Sequence, residues 1–152
     1  MVLNPDFREF IELLNEKEVD YLVIGGYAVA YHGHPRYTKD LDFWIWLNRE
    51  NAEKVVDSIN SFGFKSLGIV VEDLLDSDNI IQLGYPPARI DLLTDIPGVD
   101  FQECYTKREI AKMEGVNINF IDIDSLIRTK LAVGRPQDRA DAAELTKKKK
   151  HK

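Results

Sequence analysis

Residues 21–47 read YLVIGGYAVAYHGHPRYTKDLDFWIWL, and this stretch decides the fold. The first four residues are an unbroken apolar run, the pattern of a short strand buried on both faces. Gly25-Gly26 ends the run in a tight turn, and 27–32 continues as a short helix. Pro35 disfavours helix at the residue before it, so the chain has to leave the helix by His34. From residue 40 the period becomes two. Leu41, Phe43, Ile45 and Leu47 point to one face of a strand, and Asp40, Asp42, Trp44 and Trp46 to the other. Aspartate is a poor strand former, so a pair of them at a strand start calls for a reason. The two tryptophans on their face argue that this face is not simply open to water.

The flanks supply the other elements. Asn4-Pro5-Asp6 is a helix start, with a capping side chain and proline in the first turn. Phe7, Phe10, Ile11 and Leu14 follow at helical spacing to about Lys17. Asn48 caps a helix with an apolar stripe of Ala52, Val55, Val56 and Ile59, ended by Gly63. Residues 71–75 make a helical turn, 79–83 a strand, and Pro86-Pro87 the turn after it. A second alternating strand covers 89–94, with Ile90 and Leu92 on one face and Arg89, Asp91 and Leu93 on the other. Residues 107–113 and 116–121 flank Glu114-Gly115 as a hairpin. Asp124 is read as the cap of a helix carrying Leu126, Ile127, Leu131 and Val133. Gly134 interrupts that helix, and Pro136 opens a last one that runs into lysines.

At 152 residues, 44% hydrophobic and 30% charged, the chain has the makings of one ordinary globular domain, expected over 1–146. Residues 147–152 are expected to be a disordered basic tail. A lone cysteine, Cys104, excludes an internal disulfide and cysteine-based zinc modules. The apolar run of 21–31 is too short to span a bilayer, and the N-terminus lacks the basic start of a signal peptide. A cytoplasmic protein with no membrane partner is expected. The net charge is −6, but five of the 20 basic residues are lysines in the last six positions; the other 15 face 26 acids, a body of −11. Bulk electrostatics therefore does not favour nucleic acid, and DNA is not an expected partner.

The chemistry sits in Gly25-Gly26, a gap of thirteen residues, Asp40 and Asp42, and a later strand bearing Asp91. If the two aspartate strands are neighbours, three carboxylates converge. Like charges about 4 Å apart repel by roughly 4 kcal/mol at an effective dielectric of 20, so a cation or a shared proton has to relieve them. Three hard oxygen donors suit Mg²⁺, with Mn²⁺ as a substitute. Two glycines where a strand enters a helix let a phosphate approach closely. There is no P-loop or dinucleotide-binding motif. His32 and His34 have no spaced partner for a metal site, and Ser125 has no histidine partner for a triad. Asp73, Asp76 and Asp78 lack the glycine of a calcium loop.

Val23-Ile24-Gly25-Gly26-Tyr27-Ala28-Val29-Ala30, joined to Thr38-Lys39-Asp40-Leu41-Asp42-Phe43, resembles the signature of the DNA polymerase β-like nucleotidyltransferase superfamily. That signature is a hydrophobic residue, Gly, Gly or Ser, a spacer, then Asp-x-Asp or Asp-x-Glu. Within it the chain is most similar to small AbiEii-like and minimal nucleotidyltransferase proteins of bacterial toxin–antitoxin and abortive-infection systems. Leu126-Ile127-Arg128-Thr129-Lys130-Leu131-Ala132 and Gly134-Arg135-Pro136-Gln137-Asp138-Arg139-Ala140-Asp141 resemble that group's Lys and Arg-x-x-Asp motifs.

The resemblance implies an α+β (or α/β) fold, a mixed sheet with helices packed mainly on one face. It implies transfer of a nucleoside monophosphate from an NTP to a hydroxyl of a protein or an RNA such as tRNA. Asp40, Asp42 and Asp91 would hold the metal, and with Lys130 carry the chemistry. Gly25, Gly26 and Asp138 would bind substrate. Independently of the resemblance, Arg36, Thr38 and Lys39 on the loop before the aspartates are placed to contact phosphates, Tyr37 to stack on a base, and Asp138 to orient Lys130 or Arg135. A cognate toxin or antitoxin protein is a further expected partner. Many AbiEii-like toxins are larger, with a helical C-terminal domain that helps to bind the acceptor. With about thirty residues after Ile121, either a compact member or one that needs a partner protein to finish the acceptor site is expected. An RNA acceptor would need Arg36, Lys107, Arg108, Lys112 and Arg128 on one face. The competing expectation is a component that binds nucleotide or a partner protein without turnover.

Overall fold

The computed structural model describes residues 3–35, 38–76, 79–85 and 87–150. Asn4 caps α1 (Pro5–Glu16), its side chain accepting from the Asp6 amide at 2.8 Å. The apolar run forms β1 (Tyr21–Ile24), and α2 (Gly25–Tyr31) begins with the glycine pair. The alternating segment is β2 (Asp40–Ile45). Asn48 caps α3 (Arg49–Ile59) through the Asn51 amide, and a wide helical turn over Asn60–Phe64 closes at Gly63. Next come α4 (Val71–Leu75), β3 (Ile80–Leu83) and β4 (Arg89–Leu93). After them stand α5 (Phe101–Thr106) and the hairpin of β5 (Glu109–Met113) and β6 (Val116–Phe120). Two helices, α6 (Ile123–Val133) and α7 (Pro136–Lys150), end the described chain.

The six strands form one mixed sheet in the order β3-β4-β2-β1-β6-β5. Pairings β1–β2, β3–β4 and β5–β6 are antiparallel; β1–β6 and β2–β4 are parallel. One face carries Tyr21, Val23 and Phe43, and Phe10 of α1 packs on Phe43 with ring centroids 5.6 Å apart. Helices α3 and α4 extend this layer. On the opposite face Trp44 and Trp46 are covered by Phe101 of α5, at 5.0 and 5.3 Å. The tryptophan end of that face is thus shut, and the aspartate end is left open. The edges differ. Strand β5 carries Glu109 and Lys112, whereas β3 is Ile-Ile-Gln-Leu with no charge. Among the described residues no helix is long and apolar enough to cross a membrane.

Three details depart from the sequence reading. Asp122, not Asp124, caps α6, accepting from the Ser125 amide at 3.2 Å. Strand β6 stops at Phe120, so the first carboxylate past its end takes the cap. Helix α5 was not anticipated, because six residues are too few to show a period, although Asp100 caps it. Finally, α7 runs through Lys147–Lys150 where a disordered tail was expected. Lysine is a good helix former and is favoured at a helix C-terminus, and Lys149 pairs with Asp124. His151 and Lys152, like Arg36, Tyr37 and Asp78, lie outside the described residues.

Candidate active site

The parallel ladder between β2 and β4 sets Asp40 opposite Arg89 and Asp42 opposite Asp91. All four side chains therefore stand on one sheet face, and the three carboxylates converge. Arg89 lies among them. Its Nε donates to Asp91 Oδ1 at 3.0 Å, and its Nη2 donates to Asp91 Oδ2 at 3.1 Å and to Asp40 Oδ2 at 2.6 Å. The other Asp40 oxygen, Oδ1, is buried and has no hydrogen-bond partner. Burial pushes the Asp42 carboxyl up to about 7, helped by the charges of Asp91 and Asp40 and a hydrogen bond with Asp91, and opposed by Lys130.

Glycine is required beside this cluster. Gly25 has φ +70°, and a Cβ there would run into the Asp42 carboxylate; a Cβ at Gly26 would lie 2.6 Å from Thr38 Oγ1. Thr38 in turn donates to the Asp40 carbonyl at 3.2 Å, tying the incoming loop to the strand start.

The far wall is built by the hairpin of α6 and α7. Lys130 is buried, and its Nζ lies 3.3 Å from Asp138 Oδ1 and 3.2 Å from Asp141 Oδ2. Arg135 Nε donates to Asp138 Oδ2 at 2.6 Å. Burial alone would raise the Asp138 carboxyl, but hydrogen bonds from Arg135 and Lys130 outweigh it and hold it below its ordinary value. Asp138 thus contacts both of the cations it was expected to choose between.

These elements enclose a cleft of about 430 Å³. Gly25, Gly26, Thr38, Asp40, Asp42, Asp91, Lys130 and Asp138 all line it, facing an apolar wall of Ile80, Leu93, Ile96, Pro97 and Val133. Lys39 is exposed and does not line it, and Arg36 lies outside the described residues. Lys107, Arg108, Lys112 and Arg128 are also absent from the lining; Arg108 instead stacks its guanidinium over Tyr105. His32 is buried, its Nε2 2.7 Å from the Ile121 carbonyl, which makes it a packing residue. A recess of about 530 Å³ elsewhere is lined by Glu12, Glu16, Glu18 and Asp20 with no lysine or arginine, and holds none of the expected site residues.

Sequence reasoning missed Arg89 and Asp141. Arg89 carried a signal, because it alternates onto the same strand face as Asp91. Asp141 carried one as well, three residues after Asp138 on the same helix face.

The donor set suits a hard divalent cation. Asp40 offers a buried oxygen with no partner, and the missing Cβ at Gly25 leaves room at Asp42. Among the described residues, however, no three histidine, cysteine or acidic side chains are grouped as a ready metal site. Both Asp91 oxygens are turned to Arg89.

No protein-family profile matches the chain, and no curated protein matches it by sequence. Solved structures do match. A candidate nucleotidyltransferase from Thermotoga maritima superposes with a TM-score of 0.61 over 97% of this chain and 94% of that one, at 15% identity. An antigenic nucleotidyltransferase-like protein from Paracoccidioides brasiliensis gives 0.54 over 91% and 71%, also at 15% identity. The chain has the nucleotidyltransferase fold.

Within this nucleotidyltransferase fold, Gly25 is the backbone position with the least freedom to change. Gly25→Ala combines a left-handed φ with a methyl group against Asp42. A loss of about 1–3 kcal/mol is expected for such strain, read as a lowered denaturation midpoint. A midpoint equal to wild type would mean that the turn relaxes and the contact with Asp42 is slack.

Proposed function

We propose that this chain is a metal-dependent nucleotidyltransferase, moving a nucleoside monophosphate from an NTP to a hydroxyl of a protein or RNA acceptor. The observation that carries the reading is the in-register placement of Asp40, Asp42 and Asp91 on two adjacent strands, in one cleft with Gly25, Gly26 and Lys130. Likeness of fold to a candidate nucleotidyltransferase supports it. Resemblance to AbiEii-like proteins supports a setting in the cytoplasm, in a toxin–antitoxin or abortive-infection system with a cognate partner protein.

Asp40 and Asp42, with Asp91 beside them, would hold Mg²⁺ or Mn²⁺. When bound, the ion supplies charge neutralisation for the attacking and leaving oxygens. Asp91, with one oxygen released from the Arg89 guanidinium, takes the proton of the acceptor hydroxyl. The hydroxyl oxygen forms a bond to the α-phosphorus, the bond from that phosphorus to the bridging oxygen breaks, and pyrophosphate leaves. Gly25 and Gly26 admit the polyphosphate because no side chain fills that floor, and Thr38 contacts it from the loop. Lys130, fixed by Asp138 and Asp141, faces the developing negative charge. The apolar wall of Ile80, Leu93 and Val133 takes the less polar part of the substrate.

A thermal-shift series with Mg²⁺ and each of the four NTPs tests this. A ligand at a hundred times its dissociation constant stabilises the native state by about 2.7 kcal/mol, a rise of several degrees for a chain of this size. A shift that requires metal and disappears in Asp40→Asn/Asp42→Asn is expected. Absence of a shift with every NTP would overturn the reading. A shift without pyrophosphate release, with any cell extract, would favour a binding component over an enzyme.

A further inference from the structure

The carboxylate cluster already contains a cation. Arg89 is register partner to Asp40, and its Nη2 sits between Asp40 Oδ2 and Asp91 Oδ2, at 2.6 and 3.1 Å. With Nε on Asp91 Oδ1, the guanidinium grips Asp91 through both oxygens and Asp40 through one. A guanidinium matches this arrangement because its donors are planar and fixed in a fork. Lys130 is not available for the same task, since its ammonium lies against Asp138 and Asp141. Arg89 is also at the rim, with 29% of its side chain exposed, so it has room to swing outward.

We propose that Arg89 and a divalent ion are alternative counter-charges for Asp40 and Asp91. An ion that takes up both Asp40 oxygens has to displace Nη2, and an ion that uses Asp91 has to break the fork. Arg89 therefore holds the cluster together in the metal-free protein and keeps metal binding weak until a polyphosphate contributes further ligands. This rests on the metal reading of Asp40 and Asp42 given above, and deepens it by naming the residue that controls loading. A hydrogen-bonded guanidinium offsets carboxylate repulsion in the same way as a bound ion, by placing positive charge within contact distance. Because the two occupy the same space, they exclude each other.

The test uses Mn²⁺ alone as the probe, with the full chain and no nucleotide, and reads unbound Mn²⁺ by electron paramagnetic resonance. Folding of each variant is checked by circular dichroism. Arg89→Met keeps the aliphatic stem and removes the charge. It is expected to bind Mn²⁺ at least about tenfold more tightly than wild type, a change of about 1.4 kcal/mol. Arg89→Lys keeps the charge without the fork, and an increase of about threefold is expected; this variant carries the test if the methionine variant does not fold. Equal or weaker binding in the Arg89 variants, with binding lost in Asp40→Asn/Asp42→Asn, would overturn the inference and leave the metal reading intact. Mn²⁺ binding in Asp40→Asn/Asp42→Asn as tight as in wild type would overturn the metal reading, and the role of Arg89 with it.

Discussion

Lys130→Met is expected to lower stability by about 3 kcal/mol and the melting temperature by roughly 10 °C. This is the low end for a broken buried pair, because Arg135 stays on Asp138 at 2.6 Å and Gln137 donates to Asp141 at 2.9 Å. The substitution removes the cation that Asp138 and Asp141 share at 3.3 and 3.2 Å, and both carboxylates are at most 1% exposed. Water cannot reach them to replace the ammonium. A buried ion pair broken on one side is far more costly than one replaced as a unit. Lys130→Met combined with Asp138→Asn and Asp141→Asn is therefore expected to recover most of the loss, because the buried cation and both buried carboxylate charges are removed together. Urea denaturation of the two variants measures the difference. A loss under about 1 kcal/mol in the single variant, the scale of an exposed pair, would mean that the α6–α7 hairpin opens to water, and Lys130 would lose its standing as a fixed group in the cleft. Turnover is expected to disappear in both variants, since each lacks the ammonium, and this separates the catalytic part of the residue from its structural part.

Asp42→Asn is expected to act in opposite directions on stability and turnover. Burial, with Asp91 and Asp40 close by, pushes the Asp42 carboxyl from 3.8 to about 7. Between those values the native state holds a proton that the unfolded state has lost, so stability falls as pH rises. The contribution is fully present below about pH 4 and gone once the pH has passed about 7. Each tenfold change in proton affinity is worth about 1.4 kcal/mol, and neighbouring carboxylates share the cost, so relief of ~2 kcal/mol is expected from asparagine at pH 8 in chelator. Denaturation at pH 5.5 and 8.5 checks the sign. Wild type should lose stability across that interval by more than Asp42→Asn does. In the same variant turnover is expected to fall by on the order of 10³-fold, through loss of a ligand oxygen at the developing charge. A variant that is both less stable and active would contradict the assignment on both counts.

The fold was legible where the hydrophobic period was long enough. Leu41, Phe43 and Ile45 against Asp40, Asp42 and Trp44 defined β2 and the face of the cleft, and Gly25-Gly26 defined the turn that opens it. What pattern alone withheld was adjacency. Nothing local says that β4 lies parallel to β2 with Asp42 opposite Asp91, because that register is set by packing across the whole sheet. Arg89 was passed over for the same reason: its value depends on Asp40, its partner across the ladder. Helix α5 was too short to announce itself, and the cap of α6 was displaced by two residues because Asp122 and Asp124 are chemically alike. Most of the expected site residues line the cleft, but Lys39, exposed in the loop just before β2, does not.

The two free edges of the sheet have a consequence for how the protein behaves at high concentration. Strand β5 ends the sheet with Glu109 and Lys112 along it, and charges on an edge discourage pairing with another chain. Strand β3 has no such guard: it is uncharged, and Ile80 stands 58% exposed. If a second chain pairs with the sheet, β3 is therefore the edge where it is expected to do so. That strand also walls the cleft through Ile80 and Gln82, so a second chain docked there would sit across the cleft mouth and lower the measured activity as protein concentration rises.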